Sequence, residues 1–397
     1  MRSRTQLLGA LTNDLAELVA MPTVAGTSAG SVALDQSAVW LAKRLRAIGM
    51  ERSHVTRKHG PAAVIAWKSG AATAPTILLY AHHDVVSART FSAKRRGRLL
   101  CGRGASDDKG PLIAMLHALE EHLTTRTHPG VGIVVVVDGE EEAGSPHLAG
   151  LLSEAQSMAG RVDAVLAVDT QADANGVPAL TTSLRGQTTV DLDVRGPAER
   201  HSGRFGGRSP DPGLILSAIL SALASSCGTV RGMSPGDLSV SVNALCSDHC
   251  VVGPHHVIPE TVRAKLNFRF GYSDAGVVLA HLTAVVRSQL VVGTEAWITP
   301  WLAVRPWALA AGRHRLVAVV TDELTTRFGE PRRLSSAATL PLASVAEDVL
   351  GLRDIALIGF GLASDNAHAE NEQVDVLRLV ALTGALTAIL QRFGESR

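Results

Sequence analysis

The chain has 397 residues, with 38 basic against 37 acidic and a formal charge of +1, so it lacks the excess positive charge that a nucleic-acid or membrane-surface partner demands. Its 46% hydrophobic and 19% charged residues exclude a disordered chain, and its length points to two domains. Four cysteines, Cys101, Cys227, Cys246 and Cys250, are too few and too unevenly spaced for a secreted disulfide framework, which sets a reduced cytoplasm as the expected compartment.

From the N-terminus, MRSRTQLLGALTNDLAELVA reads as an amphipathic helix rather than a signal peptide, because Asp14 and Glu17 interrupt its apolar stretch. No uncharged apolar run approaches the roughly 18 residues of a membrane span. Thr76–Ala81, Gly132–Val137 and Ala164–Val168 are continuous apolar runs, expected of strands buried on both faces. Between the first two, PLIAMLHALEEHL from Pro111 puts Leu112, Met115, Leu116 and Leu119 on one face, a helix with Pro in its first turn. This is an α/β pattern with a largely parallel sheet.

From about Arg185 the texture changes. TTVDLDVRG and TVRAKLNFRF alternate apolar and polar residues, as strands with one wet face do. With helical stretches at Gly213–Ser225 and Gly276–Leu290, and a strand at Leu238–Leu245, they predict a βαββα module inserted into the larger domain. After Trp307 the α/β texture returns, with Ile355–Phe360 as a strand and Gln373–Phe393 as a closing helix. The expected boundaries are 1–184 and 301–397 for a discontinuous catalytic domain and 185–300 for the insert.

Four apolar strands run into acids or imidazoles: His82-His83-Asp84, Asp138-Gly-Glu-Glu-Glu142, Asp169-Thr170, and Ser364-Asp365-Asn366-Ala-His368. Ligands of open α/β sheets bind outside the carboxyl ends of the strands, so these segments converge. A fifth, GRGASDDKG, holds Asp107 and Asp108 at a helix start, where the helix dipole favours negative charge. One acid after a strand is ordinarily a cap or a turn residue; five such segments repel one another unless cations lie among them. Mixed His and Asp/Glu ligation suits zinc, with cobalt or manganese as substitutes. Two metals about 3.5–4 Å apart, sharing a carboxylate, fit the number of ligands.

HHDV, GRGASDDKG, GEEEAGS, a strand-terminal Asp, RHSGRFGG and SDNAHAENE, in this order, resemble the dinuclear-zinc exopeptidases of the carnosinase-type dipeptidase family. Glutamate carboxypeptidase and acetylornithine deacetylase are wider relatives. The resemblance covers essentially the whole chain. It implies an α/β catalytic domain with a mostly parallel sheet and an inserted ferredoxin-like lid that dimerises. Carried over by motif, His82, Asp107 and Asp169 bind one metal and Asp107, Glu142 and His368 the other, with Asp107 bridging. Asp84 orients the His82 imidazole. Glu141 is the general base, counted back from Gly144-Ser145, and Glu140 is a flanking residue. His201 stabilises the oxyanion from across a dimer, Arg269 binds substrate carboxylate, and Thr339 lies in the substrate loop.

Other residues read more plainly. Cys246-Ser-Asp-His249-Cys250 has no matching ligand pair and is taken as chance; His83 points away from the site; His255-His256 face substrate or solvent; and Pro210-Asp-Pro212 starts the lid helix. Departures from the family pattern lie in the substrate pocket. Ala337-Ala338-Thr339-Leu340-Pro341 stands for a Gly-Gly-Ser-Ile-Pro loop, Glu370 for a proline, and the stretch from Asp84 to Gly102 is short. The expected activity is therefore metal-dependent hydrolysis of a small peptide or N-acyl amino acid. A specialised deacylase or amidase, or a non-hydrolytic descendant that binds or forms an amide, is the alternative.

Overall fold

The computed structural model describes residues 2–125, 130–226, 238–247, 256–271 and 273–395. Cys227, His249, Cys250 and His255 lie outside them. The chain forms two compact units: Met1–Thr182 with Leu309–Ser335 and Leu340–Arg397, and Ser183–Ala308 with Ser336–Thr339.

In the larger unit the sheet runs, from one edge, Arg52–Thr56, Ala63–Lys68, Gly132–Asp138, Thr76–His82, Ala164–Gln171, Ile355–Gly361 and Ala179–Leu184. The four strands from Gly132–Asp138 to Ile355–Gly361 are parallel, and antiparallel strands flank them. All seven residues of Gly132–Asp138 are buried, the burial that an uninterrupted Val-Ile run demands. Around this sheet one apolar core joins Leu11, Leu15, Leu41, Val135, Leu116, Ile358 and Leu386. Parallel strands share a direction, so their carboxyl ends meet at one edge; His82 lies in register with Asp138.

Local chemistry sets the element ends. Thr27 accepts a hydrogen bond from the Gly30 amide and caps Ser28–Ala47. The closing helix is Val376–Glu395 rather than Gln373–Phe393, because Gln373–Asp375 pairs as a strand with Leu99–Cys101. Among the described residues it is the one helix long and apolar enough to cross a membrane, yet Leu379, Leu382, Leu386, Ile389 and Phe393 are buried in the core.

The smaller unit orders its strands Ser239–Ser247, Thr261–Phe270, Gly186–Arg195 and Glu295–Val304, all antiparallel. Pro212–Ser226 and Ala275–Gln289 share a core with one face, through Ile219, Leu223, Val278 and Leu282 against Val190, Leu192, Leu266 and Phe268. The fourth strand completes a ferredoxin-like βαββαβ arrangement and corrects the expected boundary at 300. Glu295–Val304 pairs along Gly186–Arg195, and the unit runs to Ala308. A register shift between Pro300 and Leu302 breaks the alternation by which this strand would be recognised. Residues 336–339, placed in the second catalytic segment, also belong to this unit.

Candidate metal centre

His82 ends its strand fully buried. Its Nδ1 is 3.1 Å from the Asp84 carbonyl oxygen and 3.3 Å from Asp84 Oδ1. Asp84 is equally buried, and its two carboxylate oxygens accept the backbone N–H groups of Glu141 and Glu142, each at 3.0 Å. One carboxylate therefore fixes both an imidazole and the turn that carries two acids.

Two groups of ligand atoms form. His82, Asp107 and Asp169 bring theirs within 4.8 Å of one another, and so do Asp107, Glu142 and His368. Asp107 belongs to both. Its Oδ1 is 3.1 Å from His82 Nε2, and its Oδ2 is 3.2 Å from His368 Nε2, which also meets Glu142 Oε1 at 3.0 Å. With its Nδ1–H directed to Asp84, a neutral His82 presents at Nε2 a lone pair facing the lone pairs of Asp107. Only a proton or a cation between them relieves that.

The acids show the same tension. Burial raises the Asp169 and Glu141 carboxyls well above their usual range, and neighbouring carboxylates add to it: Asp108 and Asp107 for Asp169, Glu142 and Asp107 for Glu141. Burial also lifts Glu142. For Asp107 burial works the same way, but hydrogen bonds from His368 and His82 outweigh it and hold the acid low. Those to Asp107 and Glu142 push His368 up to about 10. Burial opposes the charge on His82, yet its bonds to Asp107 and Asp84 raise it well above the usual imidazole range. Three carboxylates and two imidazoles sharing one acid are a donor set that suits divalent cations.

The three consecutive acids separate by partner. Glu140 Oε1 accepts from the His147 backbone N–H at 2.9 Å and lies 2.8 Å from His147 Nδ1, Glu142 meets His368, and the Glu141 carboxylate has no hydrogen-bond partner among the described residues. Tyr80 and Ser145 hydroxyls donate to Asp138 Oδ2, at 3.1 and 2.7 Å, and brace the same turn. His83 points away: its ring nitrogens meet Ser37 Oγ and the Ala62 carbonyl oxygen, and burial lowers it to about 4.

The profile of Peptidase family M20/M25/M40 matches residues 78–392. The chain belongs to that family. A Cys-Gly metallodipeptidase of Schizosaccharomyces pombe is 36% identical over 39% of this chain and 35% of its own length. One of Candida albicans is 28% identical over 81% of this chain and 79% of its own. The crystal structure of human carnosine dipeptidase 1 superposes with a TM-score of 0.83, at 21% identity, over 99% of this chain and 98% of its own. The fold is thus the M20 fold, and membership makes the chain a metal-dependent peptide-bond hydrolase by class, as the motifs implied.

In this M20 chain the remaining expected residues lie in the smaller unit. His201 is exposed, in a short strand pairing with Val257–Ile258, and its ring stacks 6.4 Å from His256. Arg269 stands opposite Gln187 and Ser239, its Nε donating to Asn267 Oδ1 at 3.0 Å. The Thr339 hydroxyl donates to the Arg185 carbonyl oxygen at 2.7 Å, and Arg185 Nε donates to the Ala337 carbonyl oxygen at 2.7 Å. Arg185 was absent from the expected set; it holds the loop of Ala337 and Thr339. Two more residues outside the expected set, Arg103 and Glu372, stand inside quoted motifs: Arg103 lies in the loop that leads to Asp107, and that loop donates to the Glu372 carboxylate. Cys246 sits exposed on its strand.

Proposed function

We propose that the chain is a dinuclear-metal dipeptidase. Asp107, common to both ligand groups, is the observation that carries this reading. His82, Asp107 and Asp169 would hold one divalent ion, and Asp107, Glu142 and His368 the other, zinc being the first choice and cobalt or manganese workable. When bound, the ions supply Lewis acidity to the scissile carbonyl and to water. Glu141, half-buried and without a hydrogen-bond partner among the described residues, takes the proton of the attacking water at its carboxylate and returns it to the leaving amine. Asp84 keeps His82 and the Glu141 turn in place. Arg269 and the Thr339 loop bind the substrate carboxylate, and His201 steadies the oxyanion in a homodimer formed through the inserted unit. The cytoplasm remains the proposed compartment. The deacylase and non-hydrolytic readings are not favoured, since the relatives described above are named dipeptidases.

The test is a dipeptide panel with metal analysis. The wild type should hydrolyse at least one dipeptide. Glu141→Gln should retain its metal while kcat falls by about 10²–10⁴-fold, the usual contribution of a positioned base. Metal binding without hydrolysis, or equal turnover by the variant, refutes the assignment.

A further inference from the structure

Glu372 is 1% exposed, four residues after His368, and its carboxylate is ringed by donors. Oε1 accepts the backbone N–H of Ser106 at 2.9 Å and of Asp107 at 3.1 Å. Oε2 accepts the Gly104 N–H and Arg103 Nη1, both at 2.9 Å. Its own carbonyl oxygen accepts the Gly102 N–H at 2.9 Å. The loop 102–107 is therefore wrapped round an anion that the chain itself supplies, as backbone N–H groups in a concave turn wrap a bound phosphate. Gly104, at φ +83°, permits the curvature.

Arg103 extends the arrangement. It is 5% exposed, and its Nη2 donates to the carbonyl oxygens of His368 at 3.0 Å and Ser87 at 3.3 Å. One buried ion pair thus ties together the loop that carries Asp107, the backbone of His368 and the segment that follows Asp84. Ser106 adds a link, its hydroxyl donating to Asp365 Oδ2 at 3.1 Å. Neither Glu372 nor Arg103 supplies an atom to the two ligand groups.

From this geometry we infer that Glu372 and Arg103 are positioning residues: their ion pair fixes Asp107 relative to His368 and so sets the affinity and coordination of the metal pair. This rests on the metal-centre reading above. A buried pair is weak evidence for stability alone, because desolvation opposes the mutual attraction. Here every donor round Glu372 belongs to the loop of one ligand, and a donor of Arg103 reaches the backbone of another, which is an orienting role.

The experiment is cobalt titration of the full-length, metal-stripped protein, followed by the visible absorption of bound Co2+, with circular dichroism and thermal melting as fold controls. Glu372→Gln keeps the shape but sets an NH2 group among N–H donors. It should fold, bind cobalt about 10–100-fold more weakly, shift the cobalt bands, and lower kcat with KM little changed. Unmoved bands and affinity overturn the inference, even if the melting temperature falls, because that is a purely structural role. If Glu372→Gln does not fold, Arg103→Lys carries the test. It keeps the charge but loses the fork that reaches Glu372 and His368 together. The same weakening is expected, and wild-type cobalt binding overturns the inference. Should the wild type itself take up no cobalt, the metal-centre reading fails and this inference with it; normal uptake by wild type and variant alike sinks this inference only.

Discussion

Asp84→Asn separates an aspartate that orients one histidine from one that also builds the turn carrying Glu141 and Glu142. The Asp84 carboxylate accepts two backbone N–H groups, from Glu141 and Glu142, while fully buried. A hydrogen bond to a charged group contributes about 1.5–3 kcal/mol, and a neutral one about 1. Asparagine keeps one acceptor oxygen and turns an NH2 toward the other N–H. Two charged bonds are lost and one neutral bond remains, a net loss of about 2–5 kcal/mol. That is a large part of an ordinary domain stability. Urea unfolding of metal-stripped wild type and variant measures it. Because Glu141 and His82 shift with the turn, kcat/KM should also fall about 10–100-fold. A stability change below about 0.5 kcal/mol, with unaltered kcat/KM, refutes the clamp.

Two further outcomes follow from the same geometry. The proton that Asp107 and Glu142 hold on His368, up to about 10, stabilises the metal-stripped protein. That contribution is full below the unfolded imidazole value of about 6.5 and lost as pH rises towards 10. Metal must displace the same proton, so calorimetric titration should show affinity rising with pH across this window; a flat profile contradicts the shared donor set. Gly110→Ala, by contrast, concerns the motif rather than the ligands. A Cβ there would lie 2.2 Å from the Ala105 carbonyl oxygen. Alanine, ordinarily favourable in a helix by about 1 kcal/mol, should here destabilise by about 1–3 kcal/mol through overpacking, as denaturant midpoints will show.

Much of this was legible in sequence because it is local. Continuous runs such as Gly132–Val137 announce buried parallel strands, and the residue after each run names what stands at the sheet edge. Lys109, in the most specific motif, shows the limit. Its Nζ donates to the carbonyl oxygens of Leu18 and Met21, which fastens the end of the helix Arg4–Val19 and the residues after it in a way no spacing reveals. Glu372 and Arg103 were in view within SDNAHAENE and GRGASDDKG, but their pairing spans 269 residues, and motif order gives no distance. The strand Glu295–Val304 was missed for a different reason: its register shift mixes the two faces. Thr339 was placed by likeness of loop, and only the fold shows its hydroxyl donating to Arg185.

The most direct test of the shared carboxylate is metal content, by elemental analysis, of wild type, Glu142→Ala and Asp107→Ala purified in excess zinc. Two ions per wild-type chain, one in Glu142→Ala and none retained in Asp107→Ala are expected. A single ion in wild type, or one ion still bound after Asp107→Ala, contradicts a bridged pair.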